Sequence, residues 1–108
     1  MLPLALQSFT AAVARREGGY FRSAILFGSH ARGDAGKDSD VDVAVVLGGR
    51  PGDALDAVME LSEIAYDVLL NTGVLIQPVP LRQDEWDHPE RHSNPRLLDN
   101  IRREGRVL

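Results

Sequence analysis

Asp40 and Asp42 stand two residues apart in the run Asp40-Val41-Asp42-Val43, and ten residues before them the chain reads Phe27-Gly28-Ser29. In extended backbone, side chains at i and i+2 leave the same face, so the two carboxylates form a pair. Paired carboxylates suit a hard divalent cation such as Mg²⁺, which takes oxygen ligands and shares them with substrate phosphates. Gly28 allows the backbone to approach a ligand with no Cβ in the way. Ser29 offers a hydroxyl and an amide where a short helix is expected to begin, a place that favours anions. Arg32, one turn further on, can reach a phosphate, and Lys37 is a weaker candidate for the same role. A bend that holds phosphate beside two acids points to a metal-bridged polyphosphate.

Rival motifs overlap this stretch and fail on single residues. A Walker A loop needs glycine where Ala31 sits and Ser or Thr where Asp38 sits. A serine nucleophile elbow needs glycine at Phe27. Asp38, Asp40 and Asp42 imitate the start of a calcium loop, but Val43 stands in place of its turn glycine and Gly49 in place of its closing glutamate. His88 and His92 are four apart with Pro89 between them, which argues against a shared helical face and a metal site. His30 reads as a surface residue.

The elements that position the acids follow from hydropathy and punctuation. Leu2, Leu6, Phe9 and Val13 recur at helical spacing, with Pro3 at the start and Gly18-Gly19 as a stop, giving a helix over 3–17. Residues 20–28 read as a strand whose unbroken apolar run, Ala24 to Phe27, fits cover on both faces. Ser29 to Arg32 is a short helical excursion and 34–39 a loop. A second strand covers 40–47. Residues 53–70 form the strongest helix, with Ala54, Val58, Leu61, Ala65 and Val68 as its inner stripe, widened by Ala57 and Ile64. A third strand over 74–81 carries Pro78 and Pro80, so it lies at an edge or leaves the sheet by Pro78. Asn94-Pro95 opens a last helix that buries Leu97, Leu98 and Ile101. The order predicts an α+β fold: a small mixed sheet with helices mostly on one side.

Composition sets the outer limits. A chain of 108 residues is expected to form one domain, 1–108. The absence of cysteine rules out disulfides and thiolate metal sites. No apolar stretch is long enough to span a membrane and no signal sequence is evident, which reads as a cytoplasmic protein. A net charge of −4 argues against nucleic-acid binding by bulk electrostatics. From Asp34 to Asp67 nine acids face only Lys37 and Arg50, an acidic middle suited to metal ions or a basic partner and otherwise a solvated face. Self-association is left open.

At these residues the chain resembles the nucleotidyltransferases related to DNA polymerase beta. It is most similar to the minimal, single-domain (MNT) group, in which the stretch commonly reads Gly-Ser-x-Ala-Arg-Gly followed by Ser-Asp-x-Asp. Here Gly28-Ser29-His30-Ala31-Arg32-Gly33 and Ser39-Asp40-Val41-Asp42 supply it. The resemblance implies a nucleotidyltransferase fold and catalysis with Mg²⁺ on Asp40 and Asp42. It implies binding of ATP or another nucleoside triphosphate at Gly28, Ser29 and Arg32, and transfer of AMP to a hydroxyl. It also implies a partner, because minimal nucleotidyltransferases are often antitoxins paired with a small helical HEPN ribonuclease, which adenylylation of a tyrosine would silence. One departure stands out. Active members carry a third carboxylate on a later strand, and here the run Val74 to Leu81 has no acid, only Gln77. An amide can ligate a metal but cannot serve as a base. Glu63, Asp67, Asp84 and Glu85 are the acids that could substitute. Two alternatives therefore stand beside the enzyme: a module that neutralises its partner by contact alone, and one half of a split enzyme.

Overall fold

The structure, a computed structural model, describes residues 1–108. Helix α1 (Leu2–Glu17) carries Pro3 in its first turn and ends at Gly18, whose φ of 57° suits glycine. Strand β1 (Phe21–Phe27) leads through Gly28 into the one-turn helix α2 (Ser29–Arg32), and β2 (Val41–Leu47) returns antiparallel to β1. Helix α3 (Ala54–Thr72) opens with a capping box in which Asp53 accepts from the Asp56 amide while the Asp56 carboxylate accepts from the Asp53 amide. It closes on Gly73 in the left-handed conformation. Strand β3 (Ile76–Arg82) then lies parallel to β2, so β2–α3–β3 is a crossover unit. A short α4 (Gln83–Asp87), then α5 (Pro95–Glu104) and the two-residue β4 (Arg106–Val107) complete the chain. The sheet order is β3-β2-β1-β4.

The third strand keeps the edge position but does not leave the sheet at Pro78. It runs through both prolines to Arg82, with Pro78 beside Val43 and Pro80 beside Val45. Residues two apart point their backbone groups the same way, so a strand at the edge can turn both missing donors outward, where no ladder bond is lost.

The helices occupy both faces, not mostly one. On the first face, α1 and α3 cover Ala24, Leu26, Val43, Val45 and Leu47 with Phe9, Val13 and Leu61, all buried. On the second, Leu98 and Ile101 of α5 pack on Ile25, Ala44, Val46 and Leu81, flanked by Phe27 and by Trp86 of α4. This explains the unbroken apolar run of β1, which serves both cores. The inner stripe of α3 is also rotated from the expected one. Ala57, Leu61, Ile64, Ala65 and Val68 are buried, whereas Ala54 and Val58 face outward. No helix is long and apolar enough to cross a membrane.

Candidate active site

The site forms where β1 ends and β2 begins. Register places Phe27 opposite Asp42, so the bend that follows Phe27 passes directly over the second residue of β2. Gly28 adopts φ 75° and ψ −156°, a conformation open essentially to glycine alone. A Cβ on Gly28 would stand 2.5 Å from Asp42 Oδ2. Two demands thus fall on one residue: the chain must turn there, and the Asp42 carboxylate occupies the space a side chain would take. Gly28→Ala is expected to cost about 1–3 kcal/mol of stability and to displace Asp42. Gly33 also has positive φ, 85°, but nothing lies within 4 Å of its would-be Cβ. Gly33→Ala should therefore cost only about 1 kcal/mol and leave Asp42 in place. Thermal melts of both variants, with nucleotide binding as the second readout, check the contrast.

Asp40 is the exposed residue just before β2, and Asp42 is half-buried two residues on, so the strand pleat carries both to one face. Burial, and secondly the Asp40 charge, push the Asp42 carboxyl above its ordinary value, while His30 and Arg32 pull it down by less. The pair repels itself in the absence of a cation, as two carboxylates poised for a divalent ion should. No cluster of three His, Asp or Glu side chains suited to a metal forms anywhere in the chain. An ion at Asp40 and Asp42 would complete its shell with phosphate and water oxygens, which is how Mg²⁺ is commonly bound. The residues present fit that ion.

Ser29 and His30 begin α2, so their amides make no bonds within it. Together with the Ser29 side chain, they are available to an anion at the bend. His30 is not a free surface residue. Its Nε2 lies 3.1 Å from the Ser39 carbonyl oxygen, tying α2 to the residue before Asp40. Arg32 is exposed but engaged: Nε donates to Asp34 at 3.2 Å and Nη1 to Glu104 at 3.0 Å. Glu104, at the end of α5, was invisible to motif reading because it lies 72 residues away in sequence and belongs to no pattern. Lys37 sits exposed in the loop.

Gln77 lies beside Asp42 in the β2–β3 register. Paired residues in a sheet share a face, so the amide stands where the third carboxylate was expected. None of the proposed substitutes reaches it. Asp84 and Glu85 follow Arg82, which pairs with Leu47 at the opposite end of β2, about 16 Å along the strand at 3.3 Å per residue. Glu63 lies on α3, on the other face of the sheet, and pairs with Arg16 of α1, while Asp67 borders the groove between the same two helices. His88 caps α4 and lies near Glu90, and His92 accepts from the Asn94 amide, so neither faces the site.

A glycine bend over a carboxylate pair, on a mixed sheet with a β2–α3–β3 crossover, is the framework of a nucleotidyltransferase. Residues 9–105 match the nucleotidyltransferase domain family, and the chain belongs to it. It is 33% identical over 105 residues to a Methanocaldococcus jannaschii protein provisionally named protein adenylyltransferase MJ0604, covering 96% of this chain and 94% of that one. A second protein of that organism, MJ1305, carries the same provisional name. It is 34% identical over 79 residues, and the match spans 73% of this chain and about half, 54%, of the relative. Among solved structures, a toxin–antitoxin complex with AMP-PNP superposes with a TM-score of 0.62 at 21% identity, covering 92% of this chain and 68% of the other. A complex of a tri-AMPylated Shewanella oneidensis HEPN toxin with its MNT antitoxin gives 0.55 at 18% identity, covering 95% and 70%. At these identities the structural likeness is one of fold.

Proposed function

We propose that the chain transfers AMP from ATP to a hydroxyl of a partner protein, and that the partner is a helical HEPN-type toxin which the modification silences. The observation that carries this reading is that the Asp42 carboxylate occupies the space a Gly28 Cβ would take, which brings the carboxylate pair and the Gly28–Ser29 bend together. Membership of the family supports nucleotidyl transfer. The relative named for protein adenylylation supports a protein acceptor and AMP. The AMP-PNP complex and the AMPylated toxin among the fold neighbours support the nucleotide and the partner.

Mg²⁺ held by Asp40 and Asp42 would neutralise the triphosphate and stabilise the departing pyrophosphate. The chain's own groups do the rest. The Gly28–Ser29 bend receives the β and γ phosphates. Arg32 exchanges Glu104 and Asp34 for a phosphate oxygen, a trade between exposed ion pairs that costs little. His30 keeps the Ser39 carbonyl, and with it Asp40, at a fixed distance from the bend. Gln77 orients by hydrogen bonding and takes no proton, so the acceptor's proton leaves to solvent or to a group of the partner.

Incubating the chain with ATP, Mg²⁺ and a HEPN-type toxin, the product of the neighbouring gene being the first to try, then weighing the products, tests the reading. The toxin should gain the mass of AMP, and Asp40→Asn with Asp42→Asn should abolish the gain. A toxin of unchanged mass, or one modified equally by the double variant, refutes the enzyme. The side-by-side placement of Gln77 and Asp42 favours a second reading, in which the chain binds nucleotide and neutralises the partner by contact. In that case the double variant still protects cells from the toxin.

A further inference from the structure

Helix α3 is apolar over more of its circumference than its own core uses. Its inner arc is buried under the sheet, yet Leu55, Met59, Tyr66 and Leu70 are 64%, 60%, 59% and 66% exposed. Leu55, Met59, Ser62, Tyr66 and the half-buried Leu69 follow the 4-3-4-3 spacing of a coiled-coil seam, about 21 Å long at 1.5 Å per residue. The side chains left open present on the order of 500 Å² of mostly apolar surface, at the upper end of what a lone soluble protein leaves uncovered. Two copies joined along this seam would bury on the order of 1,000 Å² from these groups alone, which reaches the size of a specific interface before any rim is counted.

Position and chemistry both favour a second copy as the cover. Asp42 shares the face of the sheet that carries Ala44 and Val46 under α5, whereas α3 covers the face of Val43 and Val45. An acceptor has to bring its hydroxyl to Asp42, so it is engaged on the other side of the molecule from this seam. The seam itself holds no charged side chain, and Ser62 at its centre is small enough for two backbones to approach. Such a stripe is complementary to itself. Self-pairing by strand addition has no comparable surface, because Pro78 and Pro80 blunt one sheet edge and the other is the two-residue β4.

The flanks set the orientation. With Met59 and Tyr66 at a positions and Leu55, Ser62 and Leu69 at d, the e positions are Asp56, Glu63 and Leu70, and the g positions are Val58 and Ala65. An antiparallel pair sets e against e, which puts Glu63 beside its own copy at the two-fold axis. Arg16 reaches Glu63 only at 3.5 Å in an exposed pair, which offsets little of that repulsion. A parallel pair sets e against g, where no charge stands. Each layer then meets itself, from Leu55 on Leu55 to Leu69 on Leu69.

We propose that the chain forms a two-fold dimer through the outer face of α3, with the two helices parallel and Ser62 at their crossing. Both candidate active sites face away from the contact, each open to its own acceptor. The dimer rests on this face alone and not on the functional reading above.

Size-exclusion chromatography with light scattering, on the chain alone, should give twice the mass of one chain at micromolar concentration. Met59→Glu with Tyr66→Glu should give the single mass, the dissociation constant rising at least about 100-fold with the loss of central apolar anchors. Both side chains are exposed, so helicity by circular dichroism and binding of ATP should stay at the wild-type level. The chain has no cysteine, so single cysteines report the orientation. Leu55→Cys should cross-link to its copy on mild oxidation, because parallel helices bring the two within disulfide reach. An antiparallel pair centred on Ser62 holds them about 21 Å apart. A wild type that stays monomeric throughout the micromolar range overturns the dimer, and a dimer that survives both glutamates overturns the surface. Cross-linking through Ser62→Cys but not Leu55→Cys overturns the parallel arrangement. None of these outcomes bears on AMP transfer.

Discussion

Replacing Asp42 with asparagine should push activity and stability in opposite directions. Transfer should fall by on the order of 10³-fold, since Asp42 would help hold the cation whose charge stabilises the transition state, an interaction worth several kcal/mol in a preorganised site. The metal-free protein should melt at a higher temperature than wild type. Burial and Asp40 raise the Asp42 carboxyl in the folded state. A carboxyl raised on folding stabilises the protein when protonated, and that contribution is lost as pH rises through the folded value. The variant's advantage should therefore be fully developed at neutral pH and shrink as pH falls toward the ordinary carboxyl range. Melting curves between pH 7 and pH 4 check this, and a variant less stable than wild type at neutral pH would contradict it. Added Mg²⁺ should narrow the gap by stabilising wild type alone.

The largest effect on stability is expected at Arg50, far from the acids. Its Nε donates to both oxygens of Glu17 at 3.1 Å, and Nη2 donates to Glu60 at 2.5 Å. The Glu17 side chain is only 4% exposed. This group ties the end of α1, the β2–α3 turn and the middle of α3 to one guanidinium. Arg50→Met leaves Glu17 buried without a counter-charge, which costs about 3–5 kcal/mol. For a chain this short, the midpoint of thermal unfolding should drop by on the order of 15 °C. Adding Glu17→Leu should restore most of the loss, because an apolar pair of similar volume removes the stranded charge. A melt of Arg50→Met within a degree or two of wild type would mean that water reaches Glu17.

The arrangement of the candidate residues is more legible in the sequence than its surroundings. Gly28, Ser29, Asp40 and Asp42 lie within one hairpin, where register and the period of two fix their relations locally. The start of α5 is equally legible, because Asn94 acts within a few residues of itself. What sequence could not supply was long-range. Arg32 meets Glu104, Arg50 meets Glu17, and β4 is two residues held only by its pairing with β1. The placement of α5 on the second face depended on the same long-range closure. On α3 the expected inner arc holds for Ala57, Leu61, Ile64, Ala65 and Val68 and fails at Ala54 and Val58, because the helix is apolar on two arcs and periodicity alone does not mark where one ends. Val58 belongs to the outer arc.

In the proposed reaction, Asp40, Asp42 and the Gly28–Ser29 bend hold one metal-bridged triphosphate. Calorimetric titration of ATP into wild type and into the Asp40→Asn, Asp42→Asn double variant, each with and without Mg²⁺, tests it most directly. Tight binding by wild type with Mg²⁺, and weak binding in the other three combinations, is the expected result. Equal binding by the double variant in Mg²⁺, or wild-type binding indifferent to the metal, would contradict it.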